Sequence, residues 1–192
     1  FNVYNLAAQQ KDVDAILHLG DFIYEYGRGG YASEYAKEID REVLPEHELI
    51  TLQDYRTRYA QYRTDTNLQK LCHSAPLIAV WDDHEISNNA FKNGAENHQQ
   101  GEGNYLTRKA AAMRAYFEWM PIRESIDGKN EIINRSFKFG ELLDLHMLDT
   151  RNIGRDQQMS YADYSDPETG EFNTSSFSSD LMNPDRSMLG SK

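Results

Sequence analysis

The sequence predicts an α/β fold, and three observations carry that expectation. Two short apolar runs, residues 13–19 and 77–81, have the length and composition of strands. Between and after them lie segments whose apolar residues recur at helical spacing. Each apolar run breaks off in charged residues, Gly20-Asp21 in one case and Asp82-Asp83-His84-Glu85 in the other. Strands alternating with helices and loops favour a layered α/β sandwich over an all-α or all-β fold.

The elements follow in order. Residues 2–10 read as the tail of a helix. Residues 13–19 are bounded by Asp and Gly and read as a buried strand. Residues 25–47 are Gly-rich, Tyr-rich and charged, and read as a long loop with some helix around Tyr35. Thr51-Leu52-Gln53-Asp54 has the form of a capping box, with Thr51 as N-cap. Leu52, Tyr55, Tyr59 and Tyr62 then recur on one helical face, which predicts core packing. Asp65 or Thr66 starts a short helix carrying Cys72, read as a small apolar core residue, and Pro76 stops it. Residues 77–81 give the second strand, and residues 102–119 the strongest helix, ended by Pro121. Phe137 and Phe139 alternate before Gly140-Glu141, and residues 142–148 follow as the second arm of a β-hairpin. Residues 160–187 are rich in Asp, Ser, Thr, Asn and Gly and read as a surface insertion loop. No linker divides the chain, so residues 1–192 read as part of one domain.

The totals narrow the function. A length of 192 residues, with 39% hydrophobic residues, suffices for a real core. A net charge of −11 argues against a nucleic-acid-binding surface, which needs a basic stripe. It also disfavours phosphate esters unless cations wait in the site. The single cysteine excludes an internal disulfide and leaves the redox compartment open. No apolar run is long enough to cross a bilayer. The sequence opens at Phe1 without an initiator methionine and reads as a piece of a longer protein.

In open α/β sheets, ligands bind beyond the carboxyl ends of strands. Asp21 follows the first strand, Asp82, Asp83, His84 and Glu85 the second, and Asp149 the strand ending at Leu148. Crowded carboxylates repel one another unless cations sit among them, and carboxylate oxygen suits hard cations such as Ca²⁺ and Mg²⁺. Gly20 permits a sharp turn that aims Asp21 off the strand end. Tyr24 returns to the same side three residues later and offers a phenolate, a ligand suited to Fe³⁺. Taken alone, Gly-Asp after a strand is a common turn and Asp-Asp-His-Glu a solvated loop. Their repetition at strand ends makes the case for a site.

Four stretches together resemble the alkaline phosphatase D (PhoD-like) family of calcineurin-like metallophosphoesterases. They are His18-Leu19-Gly20-Asp21-Phe22-Ile23-Tyr24-Glu25-Tyr26, then Tyr55-Arg56-Thr57-Arg58-Tyr59 with Tyr62-Arg63-Thr64-Asp65, then Val80-Trp81-Asp82-Asp83-His84-Glu85, and last Leu148-Asp149-Thr150-Arg151 with Arg155-Asp156-Gln157. The resemblance implies a two-sheet α/β sandwich flanked by helices, of which this chain is an incomplete part. It implies hydrolysis of a small phosphate ester, as phosphodiesterase or alkaline phosphatase, by a metal-activated hydroxide. Asp21 would bridge two metals, Tyr24 would ligate Fe³⁺, and Asp83 would hold a Ca²⁺. His84 would stabilise or protonate the leaving oxygen. Arg151 would either lend positive charge to the substrate or brace Asp149. Asp82 and Glu85 would orient the ligands, and Asn88 and Asn89 would help hold their loop. Further ligands are expected outside this sequence, so the chain carries roughly half of a metal site and a periplasmic or extracellular location is implied. His18 and His146 lie within strands and read as structural histidines. Two other readings stand beside the enzyme: a non-catalytic calcium-binding module that uses the same acids, and a carbohydrate-binding surface built on the twelve tyrosines.

Overall fold

The structure, a computed structural model, describes residues 2–123 and 132–190. Its elements run α1 (Asn2–Ala7), β1 (Ile16–His18), α2 (Leu52–Arg63), α3 (Thr66–Ser74), β2 (Leu77–Ala79), α4 (Tyr105–Trp119), β3 (Arg135–Phe139) and β4 (Leu143–Met147), then a 3₁₀ turn at Tyr161–Tyr164 and α5 (Thr174–Leu181). Strands and helices mix as expected, in two two-stranded sheets.

The pairing of β1 with β2 positions the site. It is parallel, with Ile16 opposite Leu77 and His18 opposite Ala79. Parallel strands end at the same edge of a sheet, so the turns after His18 and after Ala79 leave side by side. The Val80 N–H donates to His18 O at 3.0 Å and extends the pairing by one bond. The strands are shorter than the apolar runs. β1 takes three residues of the run 13–19, and Leu17 and Leu19 are exposed among the described residues. Among the described residues β1 pairs only with β2, and nothing covers the face bearing those two leucines.

The helices cap as their sequences dictate. The Thr51 side chain accepts the Asp54 N–H at 3.3 Å, and Asp54 Oδ2 accepts the Thr51 N–H at 2.7 Å. Asp65, rather than Thr66, caps α3 by accepting the N–H groups of Asn67 and Leu68. Asn104 caps α4, so that helix starts three residues later than the pattern suggested. The core lies between α2, α4 and the β2 end, with Tyr55, Tyr59, Trp81, Ile86 and Tyr116 in one cluster. Tyr55 and Tyr59 are fully buried, which removes them from any sugar-binding platform. Cys72 is half-buried and packs against the cluster.

Two buried arginines fasten loops to this core. Arg58 donates to the carbonyls of Tyr24, Tyr26 (2.9 Å) and Leu44 (2.8 Å). Arg108 donates to the Tyr55 hydroxyl at 3.1 Å, to Asn97 O at 2.9 Å and to Glu48 at 2.7 Å. The 25–47 segment is a loop with helical bonds from Ile39 N to Tyr35 O and from Arg41 N to Ala36 O.

The hairpin is antiparallel with Phe139 opposite Leu143, and Gly140 takes a left-handed φ of 58° in its turn. Arg135 reaches Ala79 O and ties the hairpin to the end of β2. The 160–187 segment is more ordered than a plain surface loop. Its 3₁₀ turn and α5 bring Tyr161, Tyr164, Phe172 and Phe177 together with ring centroids 5.2–6.5 Å apart. Four spaced aromatics in a polar stretch pack on one another locally, which a composition-based reading treats as scattered.

Candidate metal centre

The site is built where β1 and β2 end together. Gly20 (φ 108°) and Asp21 (φ 54°) both take left-handed conformations, and aspartate is one of the few side chains that tolerates this. A Cβ on Gly20 would lie 2.3 Å from the Asp82 nitrogen. Glycine is therefore required twice over, by its backbone angle and by the approach of the second loop. The two loops touch at this point and their acids converge.

Glu85 holds the junction. It is 1% exposed, and its carboxylate accepts the N–H groups of Asp21 (3.1 Å), Phe22 and Asp82 (2.8 Å). One side chain thus supplies the acceptors that both loops need. Burial pushes its pKa up to about 7, against the backbone bonds that oppose the shift.

Asp21, Asp83 and His84 each offer a ligand atom, and these atoms lie within 4.8 Å of one another. Tyr24 joins them: its hydroxyl donates to Asp21 Oδ2 at 3.2 Å. Its pKa is raised by burial first and by the Asp21 charge next. The other Asp21 oxygen, Oδ1, is buried without any partner, an expensive state for a carboxylate. Asp83 is 4% exposed, accepts the Asn89 N–H, and has its pKa raised by burial.

His84 is oriented by a residue that the sequence did not point to. Its Nδ1 lies 2.7 Å from Glu25 Oε2. Glu25 is fully buried, and its other oxygen accepts the Asn88 N–H (2.6 Å) and the Asn97 side-chain amide (2.8 Å). These bonds hold the Glu25 pKa low in spite of burial. Burial alone lowers the His84 pKa, but the Glu25 hydrogen bond and charge outweigh it and the net shift is upward. Nδ1 is committed to Glu25, which leaves Nε2 for chemistry. The sequence signal for Glu25 is its place just after Tyr24, inside the first of the family-like stretches, with no role attached.

Arg151 does not brace Asp149 in an ion pair. It grips Asp82 with two bonds, Nε to Oδ1 at 2.6 Å and Nη2 to Oδ2 at 3.1 Å, and lies 3.4 Å from Asp83. Its Nη1 is buried without a partner. Asp149, the third strand-end acid, lies outside the cluster found among the described residues. Its Oδ1 instead accepts the N–H groups of Arg151 (2.8 Å) and Asn152 (2.6 Å) and closes its own turn. The turn after β4 uses only that oxygen, and Asp149 Oδ2 is buried without a partner. His18 and His146 sit in β1 and β4 against Gly20 N and Ser136 Oγ, and neither enters the cluster.

Two carboxylates, an imidazole and a phenol gathered at the ends of parallel strands define an α/β protein with a candidate strand-end metal site. The chain belongs to the PhoD-like phosphatase family, whose model matches residues 1–192. It is 39% identical over 193 residues to alkaline phosphatase D of Bacillus subtilis (strain 168), covering 99% of this chain and 30% of that protein. It is also similar to a solved structure described as the structure of PhoD. That match has 36% identity and a TM-score of 0.77, and covers 98% of this chain and 33% of the other. The chain therefore spans about a third of the length of the relatives it matches.

Proposed function

We propose that this chain supplies one part of the active centre of a metal-dependent phosphate ester hydrolase. The observation that carries the reading is the convergence of Asp21, Asp83 and His84 within 4.8 Å, with Asp21 Oδ1 buried and unpartnered. A cation fits that arrangement, because it supplies the missing partner and neutralises the crowded acids. Asp21, Tyr24 and Asp83 would hold the metals, with Fe³⁺ favoured at the phenolate and Ca²⁺ at the carboxylates. Bound cations lower the pKa of water and offset the charge that develops on phosphoryl oxygens.

The chain's own residues do the rest. Glu25 holds His84 at Nδ1, which leaves Nε2 to give the departing oxygen its proton from the imidazolium form. Arg151, anchored on Asp82, has Nη1 left over for a phosphoryl oxygen. The substrate is a small phosphate ester. Family membership supports an exported protein, periplasmic or extracellular. Separately, no helix among the described residues is long and apolar enough to cross a membrane.

The rival reading, a non-catalytic calcium module, differs at two side chains. Calcium is held by carboxylate and carbonyl oxygens and gains nothing from the imidazole of His84, while the phenolate of Tyr24 matches the harder Fe³⁺ better. The test is metal content and a visible spectrum on the intact protein that contains this chain, beside Asp21→Asn. Bound iron and calcium, with a tyrosinate band lost in the variant, support the enzyme. Calcium alone, without phosphate ester hydrolysis, would leave the structural module.

A further inference from the structure

We propose that the cavity beside the metal centre receives the alcohol part of the ester, and that it selects a planar aromatic ring stacked on Tyr31. The proposal rests on the phosphoesterase reading and names the substrate class of that same site.

A cavity of about 690 Å³ lies between the 25–47 loop and α2, lined by Tyr24, Tyr26, Tyr31, Lys37 and Arg58 among others. It is large enough for a ring system. Tyr24 lines it and also donates to Asp21, so the cavity and the cluster share that side chain.

The wall between the two is a run of rings. His84 stacks on Tyr24 with centroids 4.2 Å apart. Tyr31 stacks on Tyr24 at 5.4 Å with only 16° between the planes. Tyr26 lies 5.6 Å from His84 and 6.3 Å from Tyr31. Tyr31 is 69% exposed, so a ring already aligned with the wall is left largely open to solvent. An aromatic side chain held in this way is a ready surface for another ring, by offset stacking.

The platform is braced in advance. Arg58 holds the carbonyls of Tyr24, Tyr26 and Leu44. Gln61 accepts the Leu44 N–H at 2.7 Å and donates to Glu42 O at 2.7 Å. Arg28 N donates to Glu46 O at 2.7 Å across the loop's neck. Two cations that line the cavity are already neutralised, Arg28 by Glu46 at 2.8 Å and Arg41 by Asp65 at 3.1 Å. Lys37 lines the cavity as well, so it is the ring wall, and not an absence of charge, that suits a planar group.

The test compares benzyl phosphate with cyclohexylmethyl phosphate on the intact, metal-loaded protein. Both leave as primary alcohols, so the difference reports ring planarity more than leaving-group chemistry. The wild type is expected to favour the benzyl ester about five- to tenfold in kcat/KM, carried by KM. Tyr31→Ala should bring the ratio close to one, while Tyr31→Phe keeps it. Calorimetry with phenylphosphonate and cyclohexylphosphonate gives the same comparison without turnover. A wild-type ratio near one, or a ratio that Tyr31→Ala leaves unchanged, overturns the proposal and leaves the phosphoesterase reading standing. Hydrolysis of neither ester, nor of bis(4-nitrophenyl) phosphate, sinks both.

Discussion

The carboxylate of Glu85 accepts the backbone N–H of Asp21 at 3.1 Å, 64 residues away in sequence. The same group takes the N–H groups of Phe22 and Asp82. The residue that fixes the loop after β1 therefore belongs to the loop of β2. Glu85→Gln keeps the shape but turns one acceptor into a donor that faces N–H groups. The expected cost is about 2–3 kcal/mol of stability, the penalty for buried donors left unpaired. Metal affinity should fall about 10–100-fold, as it does when residues that orient ligands are lost. Chemical denaturation and metal titration measure the two, and a variant equal to wild type in both would refute the bracing role.

Gly20 makes a second prediction. Its φ of 108° and the Asp82 nitrogen 2.3 Å from a would-be Cβ leave no room for alanine. Gly20→Ala should destabilise by at least about 2 kcal/mol, since strain and backbone clash add. It should also separate Asp21 from Asp83 and so weaken metal binding, whereas Gly29→Ala, with nothing within 4 Å of its Cβ, bears only its own backbone strain. A melting temperature for Gly20→Ala no lower than that of Gly29→Ala would count against this account.

Much of this was legible from sequence, for local reasons. The capping box at Thr51, the tyrosine stripe at Tyr55 and Tyr59, the hairpin around Gly140 and the acids after two strands are all signalled within a few residues. What stayed hidden depends on distant partners. Glu25 looks like any acid in a charged loop until His84 arrives beside it from 59 residues away. Arg58 and Arg108 are fully buried, against the habit of arginine, because each meets several carbonyls or acids that the fold alone assembles. Asp149 follows a strand as Asp21 does, and its Oδ1 is used by its own turn while its Oδ2 is buried without a partner. Leu17 and Leu19 show the limit of an apolar run, which signals a covered face without saying which segment covers it.

Arg151 ties the third loop to the second. Arginine grips Asp82 with a planar fork, which lysine cannot reproduce. Arg151→Lys should lose both the fork and the spare Nη1, and so lower kcat/KM for a phosphate ester about tenfold. Holding the Asp82 loop is a structural role, and binding phosphate is a further one. If the loss appears in kcat/KM while inorganic phosphate inhibits the variant as well as it does the wild type, Arg151 acts only by positioning Asp82.

The last prediction concerns pH and lies away from the site. Glu118 on α4 accepts two bonds from Arg56 on α2, each 2.6 Å, and one from Arg114 at 3.1 Å. The Arg56 hydrogen bonds, ahead of its charge, hold the Glu118 pKa down at about 2, from an ordinary value of 4.5. A carboxylate with a depressed folded pKa stabilises the fold above its unfolded pKa. That contribution fades as pH drops from about 4.5 toward 2. The group is near the surface, so solvent screening limits the effect to about 0.5–1 kcal/mol. Glu118→Gln should therefore be less stable than wild type by that amount at pH 7 and low salt. The gap should shrink with added salt and close as pH falls below 3. Urea titrations at pH 7 and at the lowest pH where both proteins still fold measure it, and a gap of equal size at the two pH values would assign the loss to packing instead of charge.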